Sequence, residues 1–151
     1  MPTYSAPLRD MQFLLKDVFE ADKLWASLGL DEVVDMDTAE AIMEEAAKIS
    51  EEAIAPLNRE ADEIGSAWSE SGVTAPPGFK EVNQTFSEGG WCGLGGNPVY
   101  GGMGMPKTLV AQVEEMIQGA SIAYGLLACR LLALLNEIAR TIYANGSPVR
   151  A

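Results

Sequence analysis

Apolar residues recur at intervals of three and four along most of this chain, and this spacing limits its fold more than any other feature. The clearest stretch is residues 35–57. Its predicted apolar face consists of Ile42, Ala46, Ile49, Ala53, Ile54 and Leu57. Asp37 followed by Glu40 matches a capping box at the start of this helix. Pro56 predicts a kink near its end.

Four further stretches carry the same helical spacing, namely residues 7–28, 78–86, 106–118 and 122–145. The helix that begins at Pro106 has a predicted buried side of Leu109, Val110, Val113, Met116 and Ile117. Gly29 and Asn145 with Gly146 suit helix ends. Residues 62–77 are rich in Gly, Ser and Pro and predict a loop, and no strand pair is predicted. We therefore expect an all-α fold, a bundle of five or six helices.

Length and charge restrict the partners of this chain. Its 151 residues are enough for one domain with a core. With 22 acidic and 10 basic residues, the formal net charge of −12 argues against nucleic acid and anionic membranes as partners. The start lacks the apolar core of a signal peptide, and Arg130 interrupts the longest apolar run, residues 122–135. We expect a cytoplasmic protein with no membrane span and reduced cysteines.

The chain contains no histidine. Within the chain this removes the Ser-His-Asp and Cys-His types of catalysis. It also removes the histidine-containing di-iron and zinc sites, and the two cysteines, Cys92 and Cys129, cannot supply an all-cysteine zinc site. No metal site is expected.

Residues 89–106, here called the glycine segment, hold eight of the fifteen glycines. A Rossmann fingerprint fails because Pro98 stands where its last glycine belongs, and the P-loop pattern lacks its second glycine. The favoured interpretation is a turn-rich connection between two helices. Trp91 would anchor it, while Gly101, Gly102 and Gly104 would permit positive φ or close backbone approach.

Several ordered elements give the chain a resemblance to the N-terminal helical domain of acyl-CoA dehydrogenases. The family pattern has a helix ending near a proline, a G-W-x-G-L element, a P-x-x-Y-G-G-x-G element and a helix with a Glu-Glu pair. The corresponding residues here are 55–59, 90–94, 98–106 and 113–116. The third element has one residue fewer between Pro98 and Tyr100 than the pattern. The resemblance covers about residues 36 to 147.

The first residues are similar to the extra helical arm of the larger branch, which acts on methylmercaptopropionyl-CoA and on long-chain acyl-CoA. The resemblance implies an arm over residues 1–34 and a helical domain over residues 35–151. In the family a middle β-domain and a C-terminal helical domain follow, and FAD lies between them. A carboxylate base takes the α-proton and the flavin accepts the β-hydride. The implied partners are an acyl-CoA substrate, an electron-transfer flavoprotein and further copies in a homo-oligomer.

The resemblance also implies a position for part of the acyl pocket, at the last long helix and the turn before it. The residues are Tyr124, Gly125, Leu126, Leu127, Cys129 and Arg130. Tyr124 and the leucines also suit a plain core, and Cys129 a small buried hydrophobe. Arg130 either extends to the surface or pairs with an acid at a domain interface.

The sequence departs from the family by stopping at residues 147–151, before the β-domain. We therefore expect either a fragment of a full enzyme or a stand-alone remnant, with no catalytic residue of its own and no FAD bound by the chain alone. Alone it would not dehydrogenate a thioester, because flavin, base and substrate could not be positioned together. The alternative is a non-catalytic helical module that uses its exposed helix face for dimerisation or for binding another protein.

Overall fold

A computed structural model describes residues 4–127 of the chain. Six α-helices dominate this part: α1 (Leu8–Phe13), α2 (Ala21–Ser27), α3 (Met36–Ile49), α4 (Asn58–Ile64), α5 (Phe79–Glu88) and α6 (Lys107–Ala120). A π-helical turn, Leu14–Val18, extends α1. Residues 122–127 are again helical, and the prediction of a helix onward to residue 145 lies outside the described residues. The all-α prediction is confirmed.

The segment from α3 to α4 is helical throughout. A π-helical turn, Ser50–Ile54, and a 3-10 turn, Ala55–Leu57, join the two α-helices. Pro56 lies in the 3-10 turn. Because proline has no N–H, it cannot donate the hydrogen bond that an α-helix requires at this position. The proline therefore changes the type of helical turn, and the helix continues past it to Ile64.

The predicted cap of α3 is wrong by two residues. The N-cap is Asp35, whose Oδ1 accepts a hydrogen bond of 2.7 Å from the Thr38 N–H. That bond satisfies one of the free amides of the first turn and lowers the pKa of the Asp35 carboxyl. Asp37 lies two residues too late to do this, because it is already the second residue of the helix.

The loop predicted over residues 62–77 contains regular structure. Helix α4 continues to Ile64, and a two-stranded antiparallel hairpin follows, with β1 at Ala67–Ser69 and β2 at Gly72–Thr74. Trp68 pairs with Val73 across the strands. The expectation of no strand pair is therefore wrong in this detail, because three-residue strands are too short to give an alternating pattern.

The core lies between α3 and α6, with α1 packed against α3 and α2 joined to α6 through Trp25. All five residues predicted as the buried side of α6 are buried. On α3 the buried residues are Ala39, Met43, Ala46 and Ala47, so the buried face is rotated from the predicted one, and Ile42 and Ile49 are only half-buried. Small side chains at the contact allow α3 and α6 to pack closely.

Polar contacts attach the first residues to this core. The Trp25 Nε1–H of α2 donates to the Thr108 Oγ1 of α6 at 3.0 Å. The Ala6 N–H and the Ser5 hydroxyl both donate to Glu51 Oε1, at 2.8 Å and 3.2 Å. The first helices thus share one core with α3 and α6, while the domain boundary at residue 34 stays a prediction.

Within residues 4–127, no helix is both long and apolar enough to cross a membrane. The same residues contain no group of three or more Cys, Asp or Glu side chains placed to hold a metal ion.

Candidate functional site

The glycine segment folds into two short stretches that lie side by side and are held by backbone hydrogen bonds. The Met103 N–H donates to the Gly93 oxygen at 2.8 Å, the Gly104 N–H to the Gly96 oxygen at 2.9 Å, and the Met105 N–H to the Leu94 oxygen at 2.9 Å. These amides are used inside the segment and are not directed at an external phosphate. These three amides are therefore not available to a flavin pyrophosphate.

Two kinds of glycine occur in this segment. Gly101 and Gly104 have φ of +84° and +72°. Residues with a side chain rarely adopt this left-handed backbone region. Gly102 has no positive φ, but a Cβ there would lie 2.2 Å from the Gly96 carbonyl carbon and 2.3 Å from its oxygen. Close approach of two backbones explains glycine at position 102.

Trp91 joins the glycine segment to an aromatic cluster of Phe79, Phe86, Trp91 and Tyr124. The rings of Trp91 and Phe86 stack with their centroids 6.1 Å apart. Tyr124 meets Phe79 and Phe86 edge to face, at 5.5 Å and 6.2 Å. Such pairs each contribute about 0.5–1.5 kcal/mol beyond area burial. The cluster connects α5, the glycine segment and the helical residues 122–127.

Tyr124 is fully buried, and its Oη has no hydrogen-bond partner among residues 4–127. Burial raises the pKa of its phenol to about 12, with a smaller electrostatic contribution from the neighbouring Cys92. The phenol is therefore neutral at physiological pH. Its ring packs in the aromatic cluster, so Tyr124 is a core residue in the described part of the chain.

Gly125 places the helical residues 122–127 close to α6. A Cβ at this position would lie 2.7 Å from Gln118 Cγ and 3.2 Å from Gln118 Cα. The turn before this helix is closed by the buried Ser121, whose backbone oxygen accepts from the Gly125 N–H at 2.9 Å. The close contact fixes where the following leucines emerge.

Leu126 and Leu127 are 49% and 48% exposed and lie along a groove of about 870 Å³, here called the hairpin groove. Its walls come from α4, the β-hairpin, the start of α5 and residues 123–127. The lining side chains relevant to binding are Ala61, Val73, Pro76, Phe79, Leu126 and Leu127. These side chains are apolar, so the groove offers hydrophobic contact and no ionisable group from this set.

A second, smaller groove of about 310 Å³ lies between α3 and the glycine segment. Ile42, Trp91, Leu94 and Met103 line it. It explains why Ile42, expected in the core, is only half-buried.

The structure thus separates the predicted acyl-pocket residues. Tyr124 and Gly125 face the interior, Leu126 and Leu127 face the hairpin groove, and Cys129 and Arg130 lie outside the described residues. The sequence prediction missed the hairpin side of the groove, including Val73. The available signal was weak: β-forming Trp68 and Val73 flank a short polar stretch, residues 69–72.

Comparison with known proteins finds the chain similar to three dehydrogenases named for acyl-CoA substrates. It is 33% identical over 130 residues to the 3-methylmercaptopropionyl-CoA dehydrogenase of Ruegeria pomeroyi, covering 86% of this chain and 22% of that protein. It is 33% identical to the broad-specificity linear acyl-CoA dehydrogenase of Mycobacterium tuberculosis, over 82% of this chain and 20% of that protein. The butyryl-CoA dehydrogenase of Syntrophomonas wolfei is 32% identical, over 83% and 21%. No family model matches the chain.

All three relatives are acyl-CoA dehydrogenases by name, and each alignment covers more than four-fifths of this chain. The chain is therefore related to acyl-CoA dehydrogenases and corresponds to the N-terminal part of these proteins. It spans about a fifth of the length of the relatives it matches.

Proposed function

We propose that this chain is the N-terminal part of an FAD-dependent acyl-CoA dehydrogenase, which removes hydrogens from the α and β carbons of an acyl-CoA thioester. The observation that carries the proposal is the similarity to three dehydrogenases across most of the chain. The ordered motifs at residues 55–59, 90–94, 98–106 and 113–116 agree with this similarity. Residues 1–34 would form the additional arm and the remaining residues the helical domain.

The contribution of the chain would be to wall the acyl pocket and to pack against the other domains. Leu126 and Leu127 support this role, because they present apolar side chains on one side of a helix whose position Gly125 fixes. An acyl tail is recognised by such surfaces through burial of apolar area. Cys129 and Arg130 would continue the same wall.

The chemistry itself would lie elsewhere in the enzyme. Proton abstraction requires a positioned base, and hydride transfer requires the flavin, whose site would be built by the middle and C-terminal domains. No catalytic residue is assigned to this chain. The electron-transfer flavoprotein, the homo-oligomer and the cytoplasmic location are part of the same proposal.

The test is the intact mass and visible absorption spectrum of the protein purified from its native source. We expect a protein several times larger than 16.1 kDa with flavin absorption, and bleaching of that absorption on addition of acyl-CoA. A colourless protein of this mass that binds no acyl-CoA would contradict the proposal.

A non-catalytic interaction module is the second candidate. The exposed apolar side chains of the first helices favour it, notably Phe13, Val18, Phe19 and Leu28. Sedimentation equilibrium of the protein purified from its native source separates the two functions. A colourless dimer of 16.1-kDa chains would favour the module, whereas a larger flavin-containing protein would favour the dehydrogenase.

A further inference from the structure

The smaller groove between α3 and the glycine segment, here called the α3 groove, has a helical wall with a polar residue at each end. Four residues of α3 line this wall at the spacing i, i+3, i+4 and i+7, namely Thr38, Ala41, Ile42 and Glu45. That spacing places them along one side of the helix, and seven residues of α-helix rise about 10 Å. The wall therefore has an apolar middle, with a hydroxyl at one end and a carboxylate at the other.

The opposite wall is apolar and is held in place by contacts of the glycine segment. Its larger side chains are Trp91, Leu94 and Met103. The Trp91 ring stacks on Phe86 with an angle of 28° between the ring planes. The Met103 N–H donates to the Gly93 oxygen at 2.8 Å. Because these contacts exist without a ligand, a ligand does not have to order this wall when it binds.

The polar groups at the two ends of the α3 groove are not used by the surrounding structure. Within residues 4–127, the Glu45 carboxylate forms no ion pair, since the three ion pairs of this part of the chain involve Glu20, Glu40 and Glu63. A carboxylate accepts hydrogen bonds and attracts a cation. An occupant that matches the groove therefore has an apolar body and a cationic nitrogen at the Glu45 end.

We propose that the α3 groove binds a small primary amine with an apolar chain, a role that goes beyond the proposed function. The ammonium group donates to the Glu45 carboxylate, and the chain lies between Ile42 and Trp91. The groove volume of about 310 Å³ is within the range of small-molecule sites. A chain of about six carbon atoms with its ammonium group matches the length of the helical wall.

Charge disfavours other small ligands in this groove. A fatty acid carboxylate or a phosphate would face the carboxylate of Glu45, and like charges at short distance repel each other. A neutral alcohol of the same length would bury the same chain without an ion pair. The amine site is also separate from the leucines proposed for the acyl pocket, because Leu126 and Leu127 line the hairpin groove.

The experiment titrates the protein purified from its native source with hexylammonium chloride and follows binding by saturation-transfer-difference NMR. Hexan-1-ol provides the same chain without the charge, and hexanoate provides a carboxylate in place of the ammonium. We expect hexylammonium to bind about fivefold more tightly than hexan-1-ol, and hexanoate to bind more weakly than either.

Two matched variants of the same protein locate the ammonium group. Glu45→Gln removes the carboxylate in the groove, and Glu44→Gln removes the carboxylate of the neighbouring exposed residue, which does not line it. We expect Glu45→Gln to weaken hexylammonium about fivefold, to the affinity of hexan-1-ol. Glu44→Gln should leave the affinity unchanged.

A second pair of variants blocks the groove itself. Ala41→Lys places a side-chain ammonium four residues before Glu45 on the same side of α3, where it occupies the groove. We expect this variant to lose binding of both hexylammonium and hexan-1-ol. Ala26→Lys makes the same change at an exposed alanine of α2, outside the groove, and should bind both ligands normally.

Several results would overturn the amine site. Equal weakening by Glu45→Gln and Glu44→Gln would mean that the amine is attracted by the net charge of −12. Equal affinities for hexylammonium and hexanoate would remove the role of Glu45. Absence of hexylammonium binding would show that another part of the protein covers the groove. A dimer that Ala41→Lys dissociates would assign the groove to a second copy. None of these results bears on flavin absorption, so the dehydrogenase proposal is tested separately.

Discussion

At the level of single residues, steric contact and desolvation distinguish positions that look alike in the sequence. Gly101 and Gly102 are neighbours, yet a Cβ at Gly101 would meet no atom within 4 Å, while a Cβ at Gly102 would overlap the Gly96 backbone. The two glycines are therefore required for different reasons, one for a positive φ and the other for space.

Gly102→Val tests this difference. The added side chain cannot be relieved by a rotamer change, because the obstacle is backbone. We expect the free energy of unfolding to fall by about 3 kcal/mol, which is the upper end of the usual range for overpacked sites, or the variant not to fold. Urea denaturation followed by circular dichroism measures it.

Gly101→Asn is the matched control. Asparagine tolerates the left-handed region and has open space at this position, so we expect a loss below about 1 kcal/mol. If Gly102→Val were as stable as the unmodified chain and lost only nucleotide binding, the glycine segment would be a phosphate site after all.

Tyr124 gives a prediction about pH. Its folded-state pKa of about 12 lies above the ordinary value of 10.0, so the unfolded state loses the phenolic proton first as the pH rises. The stability that comes from the neutral phenol is present below pH 10 and falls between pH 10 and pH 12.

Tyr124→Phe removes this titrating group while keeping the ring in the aromatic cluster. We expect the variant to lose less stability than the unmodified chain between pH 10 and pH 12, measured by urea denaturation at each pH. It should also be no less stable at pH 7, because it removes a buried hydroxyl that has no partner among the described residues. Identical pH dependence in the two proteins would contradict the raised pKa.

At the level of elements, the sequence predicted helices well where a long periodic stretch existed. The buried side of α6 agrees at Leu109, Val110, Val113, Met116 and Ile117, because fourteen helical residues give the pattern several repeats. The prediction failed where packing between elements determines which residues are buried. The buried face of α3 consists of Met43 and three alanines, and the packing of α6 against it decides which alanines are buried. The three-residue strands of the hairpin are too short for a pattern.

The candidate site follows the same division. The sequence located the leucines at positions 126 and 127 through family motifs, but their groove is completed by the hairpin, which the sequence predicted as loop. The buried position of Tyr124 depends on Phe79 and Phe86 of α5. Contacts between residues this far apart along the chain leave no pattern in the local sequence.

The hydrogen bond between α2 and α6 gives a prediction for the packing of the first helices. Thr108→Val keeps the shape of the side chain but leaves the buried Trp25 Nε1–H without its acceptor at 3.0 Å. We expect a loss of about 1–3 kcal/mol in the free energy of unfolding, measured by urea denaturation.

Thr74→Val provides the control, because Thr74 is exposed at the end of β2 and its replacement should change stability by less than about 0.5 kcal/mol. The second comparison repeats Thr108→Val in a Trp25→Phe background, where no indole N–H remains to be left unpaired. Equal losses in both backgrounds would show that the hydrogen bond does not attach α2 to α6.

At the level of the whole molecule, the described part of the chain contributes apolar surfaces and a turn-rich segment held by its own backbone hydrogen bonds. The amides of the glycine segment donate to its own carbonyls, and helix α6 begins at Lys107 with the proline Pro106 as its N-cap. In a dehydrogenase, a flavin nucleotide would have to be bound by other parts of the protein. Those parts would also have to supply the carboxylate that removes the α-proton.

This arrangement predicts that the 151-residue chain does not bind FAD. Titration of FAD with the chain should leave the flavin fluorescence intensity and anisotropy unchanged, because the Met103, Gly104 and Met105 amides of the glycine segment already donate to carbonyls within it. A complete acyl-CoA dehydrogenase stripped of its flavin serves as the positive control. Saturable quenching by the chain would contradict the prediction. If Gly102→Val then abolished the quenching without changing the free energy of unfolding, this result would assign the flavin site to the glycine segment.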